Sequence, residues 1–476
     1  MTNHPTAAAL ALGTERIRKL LVQYAVPGII AMTAASLYNM VDSIFIGQGV
    51  GPLAISGLAI TFPLMNLSAA FGSLVGVGAS TLISMRLGQR DYATAQRILG
   101  NVVSLNLLLG VLFGTVALLL LDPILRFFGA SGATLPYARE YMTIILLGNV
   151  FTHMYFGLNA VLRASGHPRK AMYATINTVV INAILDPLFI YGFGWGIRGA
   201  AIATVLAQLI SLTWQCRILS DRRELLHFRR GIYGLQAKIV RNIVSIGLSP
   251  FLMNAAACFI VILINKGFKQ YGGDLAIGAY GIVNRVAFLF VMIVMGLNQG
   301  MQPIAGYNFG ALQYDRVLRV LRLTIAGATC VTTLGFLIGE CLPRVAVALF
   351  TTDTELIRLS VEGMRISFAF FPIIGFQMVS TNFFQSIGMA GKAIFLSLSR
   401  QLLFLLPALL LLPPLFEHDT PWSGTWGVWC ALPLSDLLAS LVTLVLLLRQ
   451  LRTFRAAMNA PAEPAVSPAN SASHEL

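Results

Sequence analysis

The chain has 476 residues, of which 57% are hydrophobic and only 11% charged, with a formal net charge of +14 and a mean hydropathy of +0.76. Soluble domains run near about 25% charged, so this composition excludes a soluble globular protein and points to a polytopic membrane protein. The positive balance then needs no nucleic-acid partner, because basic residues collect in the cytoplasmic loops of membrane proteins.

In chain order, residues 1–15 are polar and Ala-rich and read as disordered. Arg16, Arg18 and Lys19 flank a first apolar run that no small-residue cleavage site follows, so it reads as a retained helix and not a signal peptide. Twelve apolar segments succeed one another, over 20–46, 54–85, 94–121, 137–162, 170–192, 197–219, 240–265, 275–306, 316–341, 356–386, 391–413 and 425–449. Each is near or above the roughly 20 residues a bilayer helix needs, so the fold class is all-α and polytopic. Residues 456–476, rich in Ala, Pro, Ser and Asn, read as a disordered tail. Five cysteines, Cys216, Cys258, Cys330, Cys341 and Cys430, show no C-x-x-C spacing and suggest neither a metal site nor a disulfide framework.

Basic residues orient the spans. The N-terminus and the loops after even-numbered spans hold Arg86, Arg90, Arg97, Arg163, Arg169, Lys170, the dense group from Arg217 to Arg241, Arg316, Arg319, Arg322, Lys392, Arg400, Arg449, Arg452 and Arg455. The other side has a thin scatter such as Arg126, Lys266, Lys269 and Arg344. This bias places both termini in the cytoplasm, as an even number of spans requires.

The chain also repeats itself at an offset near 222 residues. Pro27 aligns with Pro250 and Asp42 with Asn265; Arg86-Leu87-Gly88 through Tyr92 to Arg97 aligns with Asn308-Phe309-Gly310 through Tyr314 to Arg319. Gly166 and Lys170-Ala171 meet Gly388 and Lys392-Ala393, and Gly196 and Gly199 meet Gly424 and Gly427. Each repeat holds six spans, so the two lobes, 16–219 and 240–455, share one orientation and are related by an axis along the membrane normal. The basic stretch 220–239 is the linker, and two such bundles with a cleft between them suit alternating access.

Chemistry in such a chain is sought among its intramembrane charges. A carboxylate in the bilayer costs at least about 2.5–3.5 kcal/mol on insertion scales, and such residues by default bind or move something. Asp42 stands five residues before Gly47 and Asp186 six before Gly192, where spans one and five leave on the outer side. At the helical rise both lie roughly 8–9 Å below that exit, and Thr204 on span six falls at a similar depth. Asn182 is one turn from Asp186, and Tyr38 one turn from Asp42. Two carboxylates, an amide, a hydroxyl and a phenol make hard oxygen chemistry suited to a proton, Na⁺ or another small cation. Pro27, one to two turns into span one, is a candidate hinge that couples the charge state of Asp42 to helix bending. Pro187 frees the Ala183 carbonyl.

The second lobe differs. Asn265 replaces the acid, and Pro407-Ala408-Leu409 lies near the equivalent of Asp186. Its deepest charges, Arg285 and Asp436, both count to roughly 14–15 Å from the outer side, which favours a structural ion pair between them over a second ion site. Phe151, Tyr155, Phe156, Met295, Met301, Phe371, Phe376, Met378 and Phe384 are candidates to line a cleft for lipophilic cations. His153 and His167 are lone histidines without an assigned site, and Gly72 and Gly76 form a small-xxx-small packing pair. No phosphate loop or hydrolase triad is visible, which argues against ATP coupling and against an enzyme.

The motifs together resemble the multidrug and toxic compound extrusion (MATE) family over about residues 15–455. The resemblance rests on Pro27, Tyr38-Asn39-Met40-Val41-Asp42, Ile46-Gly47, Arg86-Leu87-Gly88, Leu162-Arg163-Ala164-Ser165-Gly166, Asn182-Ala183-Ile184-Leu185-Asp186-Pro187 and Gly199-Ala200-Ala201-Ile202-Ala203-Thr204. It implies two six-helix lobes about a central cleft, and export of organic cations and drugs in exchange for H⁺ or Na⁺, with no other cofactor. It further implies a cation site on spans one, five and six, formed by Tyr38, Asp42, Asn182, Asp186, Thr204 and the Ala200 carbonyl, with Asn159 of span four joining the network. Another branch of the family uses acids in spans seven and ten, which Asn265 and the apolar 368–379 stretch lack. The expected setting is a bacterial plasma (inner) membrane, and the expected state a monomer among membrane lipid. A related lipid-linked oligosaccharide flippase is the alternative; it calls for several basic cleft residues, and Arg285 is the one obvious candidate.

Overall fold

The computed structural model describes residues 7–419 and 424–459, and every regular element among them is helical. Ten helices are long and apolar enough to cross a membrane, and two bent pairs bring the number of spans to twelve. Spans one to three are Ile17–Gly49, Pro52–Gly88 and Tyr92–Leu119. Span four is the bent pair Leu135–Leu147 and Asn149–Ala164, and spans five and six are Pro168–Pro187 and Gly196–Leu219. Spans seven and eight, Ala237–Gly273 and Leu275–Gly310, are separated by Gly273 at φ 70° and ψ −165°, a conformation open mainly to glycine. Span nine is Tyr314–Cys341, span ten the bent pair Thr354–Phe368 and Phe371–Ser386, span eleven begins at Ala390–Leu398, and span twelve is Gly424–Asn459.

Their surfaces explain why they sit in lipid. On span three Leu108, Val111, Leu112, Val116 and Leu119 form an exposed apolar face, while Leu99, Val102 and Leu105 turn inward. An exposed stripe at helical spacing is what acyl chains cover.

The repeat is visible in the backbone as well as in the motifs. Span four bends by 55° beside Gly148, and span ten by 53° at Ala369 and Phe370, one repeat offset later. The short helices Leu121–Phe127 and Pro343–Ala348 follow spans three and nine at the same offset.

Packing divides the molecule unevenly. At the end carrying the linker, one continuous apolar core draws on both lobes, from Leu12 and Ile83 to Met301, Phe383 and Phe454. At the far end there are two cores: one around Ile46, Tyr141 and Ile190 of the first lobe, the other around Phe268, Phe368 and Trp429 of the second. The seam in the linker half is backbone-close. A Cβ on Gly28 would meet the Gly296 carbonyl, one on Gly300 would meet Ala25, and one on Gly247 would meet the Leu74 backbone. Gly88 faces the Tyr307 backbone, and its repeat partner Gly310 faces Met85. Gln302 of span eight donates to Thr81 Oγ1 of span two at 2.9 Å. Gly72 and Gly76 pack span two on span four within the first lobe, as their spacing predicts.

One terminal expectation is corrected. Ala7–Thr14 is a helix, not a disordered stretch. It is fixed by the other lobe: Leu12 is fully buried, and Asn308 Nδ2 and Arg316 Nη2 each donate to its carbonyl at 3.0 Å. Arg316 also donates to the Glu15 carbonyl at 2.7 Å, closing the helix's open C-terminal acceptors. The linker does the reciprocal thing. Ser104 of span three donates to the Tyr233 carbonyl at 2.6 Å, and the Gln236 N–H donates to Asn101 Oδ1 at 2.9 Å. Each repeat is thus led by a segment that lies on the opposite lobe. The helix of span twelve runs on through Asn459; the rest of the 456–476 stretch lies outside the described residues.

Candidate cation site

Span one delivers Asp42 to the interior of the first lobe, where it is 6% exposed. The helix runs unbroken from Ile17 to Gly49 through a buried Pro27. Span five delivers Asp186, which is fully buried, directly before Pro187 and a π-helical turn over Leu188–Gly192. Proline removes one helix hydrogen bond, and the widened turn absorbs the mismatch. That turn is held from two sides. The Tyr191 hydroxyl donates to the Phe45 carbonyl of span one at 3.2 Å, and Gly199 of span six lets the Phe189 backbone approach.

The carboxyl groups of Asp42 and Asp186 lie within hydrogen-bonding reach of each other. Asn182 Nδ2 donates to Asp186 Oδ1 and to Thr204 Oγ1, both at 3.3 Å. The structure therefore brings Asp42, Asp186, Asn182 and Thr204 together, as the depth count and the one-turn spacing predict. Three acceptors at this point, Asp42 Oδ1, Asp186 Oδ2 and Asn182 Oδ1, are buried with no partner among the described residues. Unsatisfied buried oxygen is costly, and three of them around a carboxyl pair fit a proton or a small hard cation. Two carboxyls this close resist standing ionised together, and a positive charge between them would relieve the repulsion. Among the described residues no three His, Cys, Asp or Glu side chains group as a metal site. The donor set is oxygen alone, which suits Na⁺ rather than a transition ion.

Other sequence candidates fall elsewhere. Ala200 is fully buried one turn before Thr204 on span six. Asn159 stands apart from the carboxyl pair: its Nδ2 donates to the Ala171 carbonyl at 2.9 Å, and its Oδ1 accepts from Arg163. The Tyr38 side chain lies outside the described residues. Tyr155 is buried, with its hydroxyl donating to Thr175 Oγ1 at 3.4 Å, and Phe371 is buried in a stack with Phe368 at 4.4 Å. Both are packed inside their lobes. Phe156 and Met295 are partly buried. An aromatic contact that the sequence did not suggest joins the lobes instead: Phe71 and Phe251 have ring centroids 4.8 Å apart.

The expected Arg285–Asp436 pair is not formed. Arg285 is exposed, and Asp436, 4% exposed, is bonded to Arg400. Counting depth along each helix cannot tell which face a side chain occupies. Arg400, assigned by its position to a basic loop, stands ten residues into span eleven, within a π-helical stretch over Ser399–Leu405.

Twelve spans in two repeat-related lobes, with a carboxyl pair buried in one of them, define a two-lobe polytopic membrane protein. The family model MatE matches residues 27–188 and again 250–410, once in each repeat, and the chain belongs to that family. It is 27% identical over 420 residues to the multidrug export protein MepA of Staphylococcus haemolyticus strain JCSC1435, covering 87% of this chain and 90% of that one. To MepA of Staphylococcus aureus strain NCTC 8325 / PS 47 it is 26% identical over 436 residues, covering 90% and 93%. Its fold matches the outward-facing conformation of a multidrug resistance MATE family transporter at a TM-score of 0.88 and 23% identity, covering 95% of this chain and 100% of the other. The MATE multidrug transporter DinF-BH, in complex with rhodamine 6G, matches at a TM-score of 0.85 and 36% identity, covering 93% and 98%.

Proposed function

We propose that this protein exports organic cations or drugs across a bacterial plasma membrane, in exchange for H⁺ or Na⁺ taken up at the Asp42–Asp186 pair. The observation that carries the reading is the position of span one. At its far half it supplies Asp42 to the pair; at its linker half it supplies Ala25 and Gly28 to the seam with span eight. The two are joined by one unbroken helix, so a force on Asp42 reaches the seam. With a cation between them the carboxyls stay bonded and span one stays against span five. When the cation leaves, two negative charges face each other in a medium of low dielectric and repel, which favours bending of span one near Pro27 and a new seam geometry. Na⁺ in this role would be held by Asp42 Oδ1, Asp186 Oδ2 and Asn182 Oδ1, the three oxygens without protein partners among the described residues.

The basic bias makes the linker end cytoplasmic. The single core at that end and the two separate cores at the other then correspond to a cleft open to the outside. Relatives that export drugs, and one solved with a bound dye, support the substrate class. Phe156 and Met295 are the cleft residues this reading keeps.

The test is efflux of rhodamine 6G from vesicles under an imposed pH or Na⁺ gradient. Asp42→Asn and Asp186→Asn should each abolish gradient-driven efflux while the purified proteins still bind the dye. Undiminished efflux in both variants would falsify the assignment.

A further inference from the structure

The polar face of span five does not stop at the carboxyl pair. Thr175, Thr178, Asn182 and Asp186 stand three, four and four residues apart, hence along one face of the helix. Span six runs a second rail beside it, in which Thr204 and Ser211 are seven residues apart. The rails touch twice, at Asn182–Thr204 (3.3 Å) and at Thr178–Ser211 (2.7 Å). Beyond that, the Tyr155 hydroxyl of span four donates to Thr175 Oγ1 at 3.4 Å and lies beside Thr178, and Asn159 Nδ2 reaches Thr175 Oγ1 at 3.5 Å. Asn159 in turn holds Arg163, one residue before span four ends at Ala164 on the linker side. Ser211, Tyr155 and Asn159 are all buried. From Asp186 to Thr175 the track covers roughly 16 Å at the helical rise, about half the hydrocarbon thickness.

Polar residues also serve as glue between membrane helices, and the repeat supplies the control for that reading. One offset later, span eleven carries Ser397, Arg400, Phe404 and Ala408. There the face is apolar at the level of the carboxyl pair and closed by the Arg400–Asp436 ion pair below it. The same helix pair therefore packs without a polar track, and the track in the first lobe is not a demand of the fold. Its hydroxyls are also free to turn. The single Thr178 proton has two acceptors, Ser211 Oγ at 2.7 Å and the Ala174 carbonyl at 2.9 Å. A group that accepts on one lone pair and donates its own proton onward must be able to reorient in this way.

We propose that this track is the route by which a proton leaves the Asp42–Asp186 pair for the linker end of the membrane. It rests on the reading of the pair as the coupling site, and it selects the proton over Na⁺. The pair begins with one proton shared between its two carboxyls. Asp186 gives that proton to water lying between the rails, and both carboxyls are left as carboxylates. Thr178 and Thr175 each accept a proton on oxygen and release their own, with Tyr155 bridging them. Bulk water beside Arg163 takes the proton, and Arg163 keeps its charge throughout.

The test uses the full chain in proteoliposomes, with rhodamine 6G as the transported probe. Thr175→Val/Thr178→Val keeps side-chain shape and removes both relay hydroxyls. Its pH-gradient-driven transport should be about ten-fold slower or worse, with dye affinity and melting temperature unchanged. Thr175→Ser/Thr178→Ser should restore the rate, and Ser397→Ala in the other lobe should leave it at the wild-type value. If the double valine variant does not fold, Thr178→Val alone carries the test. A wild-type rate in the valine variant overturns the route, as does wild-type transport driven by Na⁺ and not by pH. Asp186→Asn separates the two levels: if it still transports under a pH gradient, the coupling site itself falls, whereas a dead Asp186→Asn beside an unimpaired valine variant removes the route alone.

Discussion

A carboxylate inside a membrane bundle has to be met by positive charge, and the two lobes of this protein meet it differently. In the first, Asp42 and Asp186 face each other beside oxygens that have no partner among the described residues, an arrangement that the proposed function fills with a mobile cation. In the second, Asp436 has its cation built in, as Arg400. Removing one member of a buried pair leaves the other uncompensated at about 3–5 kcal/mol, whereas replacing both by apolar groups is often neutral. Asp436→Leu should therefore lower the melting temperature of the purified protein sharply. Arg400→Leu/Asp436→Leu should recover most of the loss and still transport rhodamine 6G; a double variant as unstable as the single one would show that the pair does more than neutralise. Asp42, Asp186 and Asn182 are legible in the sequence because intramembrane acids are rare and one-turn spacing is simple arithmetic. Arg400 is not, since a lone arginine ten residues from a span's start looks like a loop charge until the partner's helix face is known.

At the scale of elements, long apolar runs fixed the twelve spans, and Gly273 breaks the longest helix inside the interval where two spans were expected to part. The bends in spans four and ten and the π-helical turns were not legible, because they arise from packing against neighbours. The linker shows how a charged, irregular stretch is nevertheless placed. Glu224 receives His167 Nε2 at 2.7 Å and Lys170 Nζ at 2.8 Å. Partial burial alone would raise its pKa, but those two neighbours outweigh it and hold the carboxyl below its ordinary value of 4.5. A depressed carboxylate stabilises the docked linker above its unfolded pKa, and that contribution is lost as pH falls through the folded one. Amide exchange across 224–236 should thus quicken as pH drops below 4.5, after correction for intrinsic rates. Glu224→Gln should show the same loosening at neutral pH. Equal protection in wild type and variant would mean that the backbone bonds to span three hold the linker unaided.

At the scale of the whole molecule, the lobes share one core at the linker end and keep separate cores at the other. The two-lobe plan was legible from the repeat alone, but the state of the cleft was not, since a repeat offset carries no information about which ends touch. The leading segments add a constraint to the closed end. Arg316 makes two bonds to carbonyls of the first helix and its connection and one, at 2.7 Å, to Asn308. Hydrogen bonds to a charged group contribute about 1.5–3 kcal/mol each. In a cysteine-free background, alkylation of Leu12→Cys by a maleimide should rise about ten-fold or more when Arg316→Ala is added. Unchanged protection would show that the burial of Leu12 alone keeps the helix docked.

The docking of that first helix also sets an order of events at the ribosome. Leu12 leaves the exit tunnel well before its partners Asn308 and Arg316, which lie 296 and 304 positions further on. At translation rates of about 5–20 residues per second the helix waits roughly 15–60 s before its seat exists. It is apolar through Ala7–Leu12 and must pass that interval against lipid, a chaperone or the insertion machinery. Seating of this helix is therefore a late step in the maturation of the protein: it can be stowed only after the second lobe has been made.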